Sequence, residues 1–194
     1  VWQEWKMQAC DVSCVADLVG SRFNALQSTN QRAYADYLEQ HACGLVKDAY
    51  PDLYKASTSV RSPEDFMLGN ILVDVKTRCI GREFSMPNLI SVDRASKILA
   101  DPSRDIWYWF IDYEVHDDGT FTVVSSELTP IWHLDWQALS IQNLGLGQIQ
   151  ISNWSMLIDP APARSFWMLN LTKRTREFYV LLQQKLEKRI KALG

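Results

Sequence analysis

The chain has 194 residues, 20 basic and 23 acidic side chains, a formal charge of −3 and 47% hydrophobic residues. That length suits one compact domain with a real core, and the composition excludes a disordered or collagen-like chain. The total charge does not advertise a nucleic-acid partner, although a local basic patch can still bind phosphate.

Asn30 is a reasonable N-cap for a first helix, because Tyr34, Tyr37, Leu38, His41 and Leu45 recur after it at helical spacing. Pro51 and Pro63 bracket a polar stretch, Lys55 to Ser62, that reads as a loop. From Asp65 the period changes to two. Asp65-Phe-Met-Leu68, then Gly69-Asn70, then Ile71 to Thr77 predict two strands joined by a two-residue turn. Leu89 to Leu99 predicts a helix stopped by Asp101-Pro102. Ile106 to Val115 and Thr120 to Ser125 predict a second hairpin across His116-Asp-Asp-Gly119. A Trp-rich irregular region follows Pro130, with a short strand at Gln148 to Ser152. Thr172 to Leu193 predicts an amphipathic helix with Phe178, Leu181, Leu182, Leu186, Ile190 and Leu193 inward. The expected fold is one mixed α/β domain over 1–194, a central sheet flanked by helices.

The longest uncharged stretch, Trp136 to Ile158, is broken by glutamines and asparagines, so no membrane partner is expected. No basic-then-apolar segment opens the chain, and Cys10, Cys14, Cys43 and Cys79 show no CxxC or zinc spacing. These point to a reduced, cytoplasmic protein. Most of the eight Trp, seven Tyr and seven Phe are expected in the core.

The first hairpin carries the chemistry. If Gly69-Asn70 is its loop, Asp65 stands opposite Asp74, and Lys76 shares their face. Two carboxylates held that close repel each other unless a proton or a cation lies between them. A hard divalent ion such as Mg²⁺ takes carboxylate and water oxygens, and the Val75 backbone carbonyl can add another. Lys76 would then orient or help deprotonate an attacking water beside a phosphate. The bland alternative for an Asp-x-Lys on a strand is a solvated face with a weak ion pair.

Pro63-Glu-Asp65, followed after eight residues by Asp74-Val-Lys76, resembles the PD-(D/E)xK nuclease signature, with Glu64 inserted after the proline. The run from Leu72 to Ser91 resembles type II restriction endonucleases of that family through its Asp74-Val-Lys-Thr-Arg78 and Pro87-Asn-Leu-Ile-Ser91 blocks. The likeness continues through Trp107 to Val115 and Val123 to Ser126, and faintly in Gln142-Asn143 and Gln148-Ile-Gln150.

That resemblance implies a restriction-endonuclease-like fold and a Mg²⁺-dependent homodimer that cleaves double-stranded DNA at a short palindrome. Asp65 and Asp74 would bind metal, Lys76 would be the catalytic lysine, and Thr77 would sit next to the site. Arg78 and Arg82 suit phosphate contacts. Phe84, Ser85 and Asn88 fall where intercalating and base-reading residues occur. Ser85 stands where a relative carries a wedging glutamine, and Phe84 beside it is the alternative wedge. Asn143 with Gln148 or Gln150 would form a second recognition segment.

Local alternatives stay open. Asn88 after Pro87 can be a turn or N-cap residue, and Gly145-Leu-Gly147 a plain turn before a strand. The seven basic residues between Lys173 and Lys191 suit either a solvated face or a DNA-backbone patch. A repair or homing nuclease, or a DNA-binding protein that does not cut, are the rival readings.

Overall fold

The structure is a computed structural model that describes residues 17–24, 31–59, 62–83, 86–142 and 147–193. The chain divides into two compact units, residues 1–85 with 102–131 and residues 86–101 with 132–194.

The first unit is built on a six-stranded sheet in the order β1-β7-β6-β4-β3-β2. Its strands are β1 (Arg22–Phe23), β2 (Tyr54–Ala56), β3 (Phe66–Leu68), β4 (Ile71–Cys79), β6 (Asp105–Val115) and β7 (Phe121–Pro130). β4 and β6 run parallel, and the other neighbours are antiparallel. β2 occupies the start of the stretch expected to be a loop, because Tyr54, Lys55 and Ala56 pair with Leu68, Met67 and Phe66.

Helix α1 (Gln31–Ala49) covers one face of this sheet. Tyr34, Leu38, Ala42 and Val46 recur every four residues and are all buried. They share a core with Phe66, Leu68, Ile71, Val73 and Val75 and with Trp107, Trp109, Ile111 and Tyr113 of β6. Burying such side chains stabilises the unit by roughly 1.5–3 kcal/mol apiece. Alternation along β4 therefore sends Leu72, Asp74 and Lys76 to the opposite face, where β6 places Ile106, Tyr108 and Phe110 beside them.

The turn forms as expected. Gly69 takes φ +61° while Asn70 stays at negative φ, as a type II′ hairpin turn requires. The pairs Leu68–Ile71, Met67–Leu72 and Phe66–Val73 match the expected register. Asp65 departs from it. Its amide donates to the Val73 carbonyl at 2.9 Å, so the ladder slips at Phe66 and Asp65 does not stand directly opposite Asp74.

In the second unit, β5 (Asn88–Ser91), β9 (Gln148–Ile151) and β8 (Leu139–Gln142) form an antiparallel sheet in that order. Leu89 and Ile90, expected in a helix, are buried in β5 instead. Helix α2 (Val92–Ala100) begins three residues later because the Ser91 hydroxyl accepts the Arg94 amide as an N-cap. β8 arises within the stretch read as irregular.

Helix α3 (Arg164–Leu193) starts eight residues before the expected boundary. Its first turns are fixed by Trp167, whose Nε1 donates to the Leu134 carbonyl, and by Arg164, whose guanidinium donates to the Leu99 carbonyl. Trp167 and Leu171 are buried, and Phe178 and Leu182 are half-buried. Leu181, Leu186, Ile190 and Leu193 are exposed, so the expected inward stripe holds only at its N-terminal end. The apolar pattern outruns the body against which it packs.

Gly147 shows how tightly β9 is joined to its surroundings. At φ +99° a Cβ there would lie 3.2 Å from both Phe178 and Val92 side chains. Gly147→Ala is expected to destabilise the protein by about 1–3 kcal/mol. Urea melts of the two proteins check this, and equal midpoints would contradict the crowding.

Candidate active site

Three carboxylates and a lysine gather at β4. Asp74 is 7% exposed, and the Lys76 ammonium lies 2.7 Å from its Oδ1. Asp65, immediately before β3, accepts the Val75 amide on Oδ2 at 2.6 Å. That bond turns the Asp65 carboxyl toward β4, within hydrogen-bonding reach of Asp74. Glu39 of α1 lies near enough to Asp65 for the two carboxyls to interact. Nothing in the sequence distinguishes Glu39 from Asp36 or Asp48 on the same helix. Only the slip at Asp65 brings the strand and the helix carboxyls together.

The electrostatics follow from burial. Desolvation pushes the Asp74 carboxyl up to about 8, with the Asp65 charge adding and Lys76 opposing. Glu39 is pushed up to about 7, first by desolvation and then by Asp65. Cys43, one turn beyond Glu39, is pushed up to about 12 by burial and by the Asp65 and Glu39 charges, so it stays a thiol. The cluster thus holds protons near neutrality that exposed carboxyls would have lost.

Tyr108 pairs in register with Asp74 and is fully buried, and its hydroxyl has no hydrogen-bond partner among the described residues. An orphaned buried hydroxyl costs about 1–3 kcal/mol. Tyr108→Phe is therefore expected to raise the thermal midpoint. Calorimetry checks it, and a fall would mean that the hydroxyl bonds a water or a neighbouring carboxyl.

Among the described residues, no three His, Cys, Asp or Glu side chains are arranged as a ready metal centre. The donor chemistry nevertheless fits a hard divalent cation. Asp65 and Asp74 offer carboxylate oxygens that repel each other, and Lys76 supplies the compensating charge in this arrangement.

The remaining expected residues fall in two places. Thr77 and Arg78 follow Lys76 on β4. Arg78 grips Asp112 of β6 through two bonds, Nε to Oδ1 at 2.9 Å and Nη2 to Oδ2 at 2.6 Å, which fastens the parallel pair beside the site. Arg82 is exposed in the turn after β4. Asn88, Gln148 and Gln150 belong to the second unit, where Asn88 and Gln150 are cross-strand partners joined by a side-chain hydrogen bond. Phe84, Ser85 and Asn143 lie outside the described residues.

No protein-family model matches the chain, and no curated protein matches it in sequence. Its backbone is similar to that of the NlaIV restriction endonuclease, with a TM-score of 0.61 over 96% of this chain and 88% of that one. The fold is restriction-endonuclease-like. At 15% identity the likeness shows the fold alone. Within that fold, the mixed sheet and its flanking helices match the sequence expectation. Among the described residues, no helix is long and apolar enough to cross a membrane.

Proposed function

We propose that the chain is a Mg²⁺-dependent, site-specific endonuclease that hydrolyses double-stranded DNA at a short palindrome. It would act as a homodimeric type II restriction enzyme of the PD-(D/E)xK kind, with residues 72–91 resembling HincII. The observation that carries this reading is the buried Asp74, repelled by Asp65 and bound to Lys76, within a restriction-endonuclease-like fold.

Asp65, Asp74 and the Val75 carbonyl would hold the cation. When bound, Mg²⁺ supplies positive charge that offsets a phosphate and lowers the pKa of a coordinated water. The chain's own groups do the rest. Lys76, on the same strand face as Asp74, would orient the attacking water through its ammonium donors. Glu39, titrating near neutrality, can take the proton that the water gives up. Burial of Asp74 and the aromatic pair Tyr108–Phe110, with centroids 5.9 Å apart, supports a low dielectric that strengthens each of these contacts. Palindromic double-strand cleavage needs two such sites, which a two-fold homodimer supplies.

A supercoiled plasmid of known sequence, incubated with and without Mg²⁺, tests the proposal. Discrete fragments whose ends map to one palindrome are the expected result. Nicks at mismatches would favour a repair nuclease, and retention without cleavage would favour a DNA-binding protein. Neither cleavage nor retention would remove DNA from the account.

A further inference from the structure

Buried polar atoms without a partner are rare, and each one calls for a physical reason. Among the described residues three side-chain atoms stand in that position, Trp107 Nε1, Tyr108 Oη and Thr175 Oγ1. Trp107 belongs to the core under α1, and Thr175 lies on α3. Of the three, Tyr108 alone is in register with a member of the carboxylate cluster, Asp74 on the neighbouring parallel strand.

Alternation puts the Tyr108 and Asp74 side chains on the same sheet face, one strand spacing or about 5 Å apart at the backbone. Tyr108 is 0% exposed and stacks on Phe110, with the ring planes 22° apart. Its register neighbour on the other side, Thr129 of β7, is buried too and does not bond the hydroxyl. The phenol is therefore held in place by packing. Burial first, and then the Asp74 charge, keep it well above its ordinary range, so the hydroxyl stays a neutral donor that faces Asp74 electrostatically.

Asp74 is committed elsewhere. Its Oδ1 takes the Lys76 ammonium at 2.7 Å, and its carboxyl interacts with that of Asp65. A hydroxyl that served the fold alone would be bonded. One kept unbonded beside a buried carboxylate lowers stability for the sake of the site.

We infer that Tyr108 is a positioning residue for the cation, its hydroxyl reserved as a donor that fixes the Asp74 carboxylate when Asp74 acts as a metal ligand. The inference rests on the reading of Asp74 as a ligand given above. Carboxylates that hold metals are themselves hydrogen-bonded, and that outer contact sets their orientation. A phenol suits the task because it donates without placing a second positive charge next to the cation. Tyr108 acts through Asp74 and touches neither the DNA nor the attacking water.

The test uses the full chain and Tyr108→Phe, which keeps the ring and its packing. Mn²⁺, a divalent ion that carboxylate oxygens also suit, is titrated into each protein and followed by electron paramagnetic resonance. The variant should bind it about 10- to 100-fold more weakly. In EDTA the same variant should melt above the wild type, whereas equal Mn²⁺ concentrations should raise the wild type's Tm by more. Asp74→Asn with Tyr108→Phe should bind no more weakly than Asp74→Asn alone. In plasmid cleavage, the Mg²⁺ concentration for half-maximal rate should rise by the same factor as the Mn²⁺ Kd. The rate at saturating Mg²⁺ should stay within about threefold of wild type.

Equal Mn²⁺ affinities would overturn the inference and leave the nuclease reading standing. A variant that melts below the wild type in EDTA would do the same, because the hydroxyl would already be bonded within the fold. A rate deficit that saturating Mg²⁺ does not relieve would move Tyr108 into the chemistry and overturn its positioning role. A wild type that takes up no Mn²⁺, alone or with duplex, removes Asp74 as a ligand and this inference with it. Whether that protein still cuts plasmid decides the nuclease reading separately.

Discussion

Lys76→Ala is expected to lower plasmid cleavage by about 10²–10⁴-fold while leaving duplex affinity nearly unchanged. The reason is local. The Lys76 ammonium is held 2.7 Å from Asp74, two residues away on one strand face, and the other basic side chain of β4 on that face is Arg78. Arg78, next in line, is committed to Asp112 by two hydrogen bonds and cannot swing to replace it. Lys76→Arg keeps the charge but spreads it over a planar fork, so it should also be deeply impaired. Single-turnover cleavage, with binding measured in Ca²⁺, separates the chemical step from affinity. A Lys76→Ala protein that cuts at a near wild-type rate would remove the lysine from the mechanism.

Asp74→Asn should abolish Mg²⁺-dependent cleavage and, in the metal-free protein, raise stability in a pH-dependent way. Burial lifts the folded-state pKa of Asp74 to about 8 from the ordinary 3.8. Between those values the folded protein binds the proton more tightly than the unfolded chain. Stability therefore falls as pH rises through that window. The Asn variant lacks this loss. Its advantage should be small near pH 4 and grow to roughly 1–3 kcal/mol by pH 8, or several degrees in Tm for a protein of this size. Melting curves in EDTA across that range measure the difference. A variant less stable than wild type at pH 8 would mean that the Lys76 ion pair outweighs the burial of Asp74.

Much of this was legible in local chemistry. Gly69-Asn70 specified a turn, and once the turn was placed, alternation alone put Asp74 with Lys76 and assigned Phe66, Leu68, Ile71, Val73 and Val75 to the core. Residues 34–46 formed the expected helix because their apolar positions recur every four residues and find a sheet to cover. These features depend on neighbours within a few positions, so pattern sufficed. Helix and strand boundaries were less legible where two local preferences compete. Leu89-Ile90 suits either a helix or a buried strand, and β9 with the Ser91 cap decided for the strand.

The sequence by itself thus determined the hairpin, the Asp74–Lys76 face and the mixed α/β class, all of which follow from periodicity and turn chemistry. Tertiary structure decided the rest. Glu39 joins the site only because α1 packs on the sheet and Asp65 slips from the ladder to bond the Val75 amide. Residues 86–101 and 132–194 hold ten basic and six acidic side chains, a formal +4, against ten and seventeen, or −7, in the other unit. That contrast is invisible in a chain total, because the two segments come together only on folding. Asn88 and Gln150 stand 62 positions apart, and only strand pairing brings their side chains into a hydrogen bond.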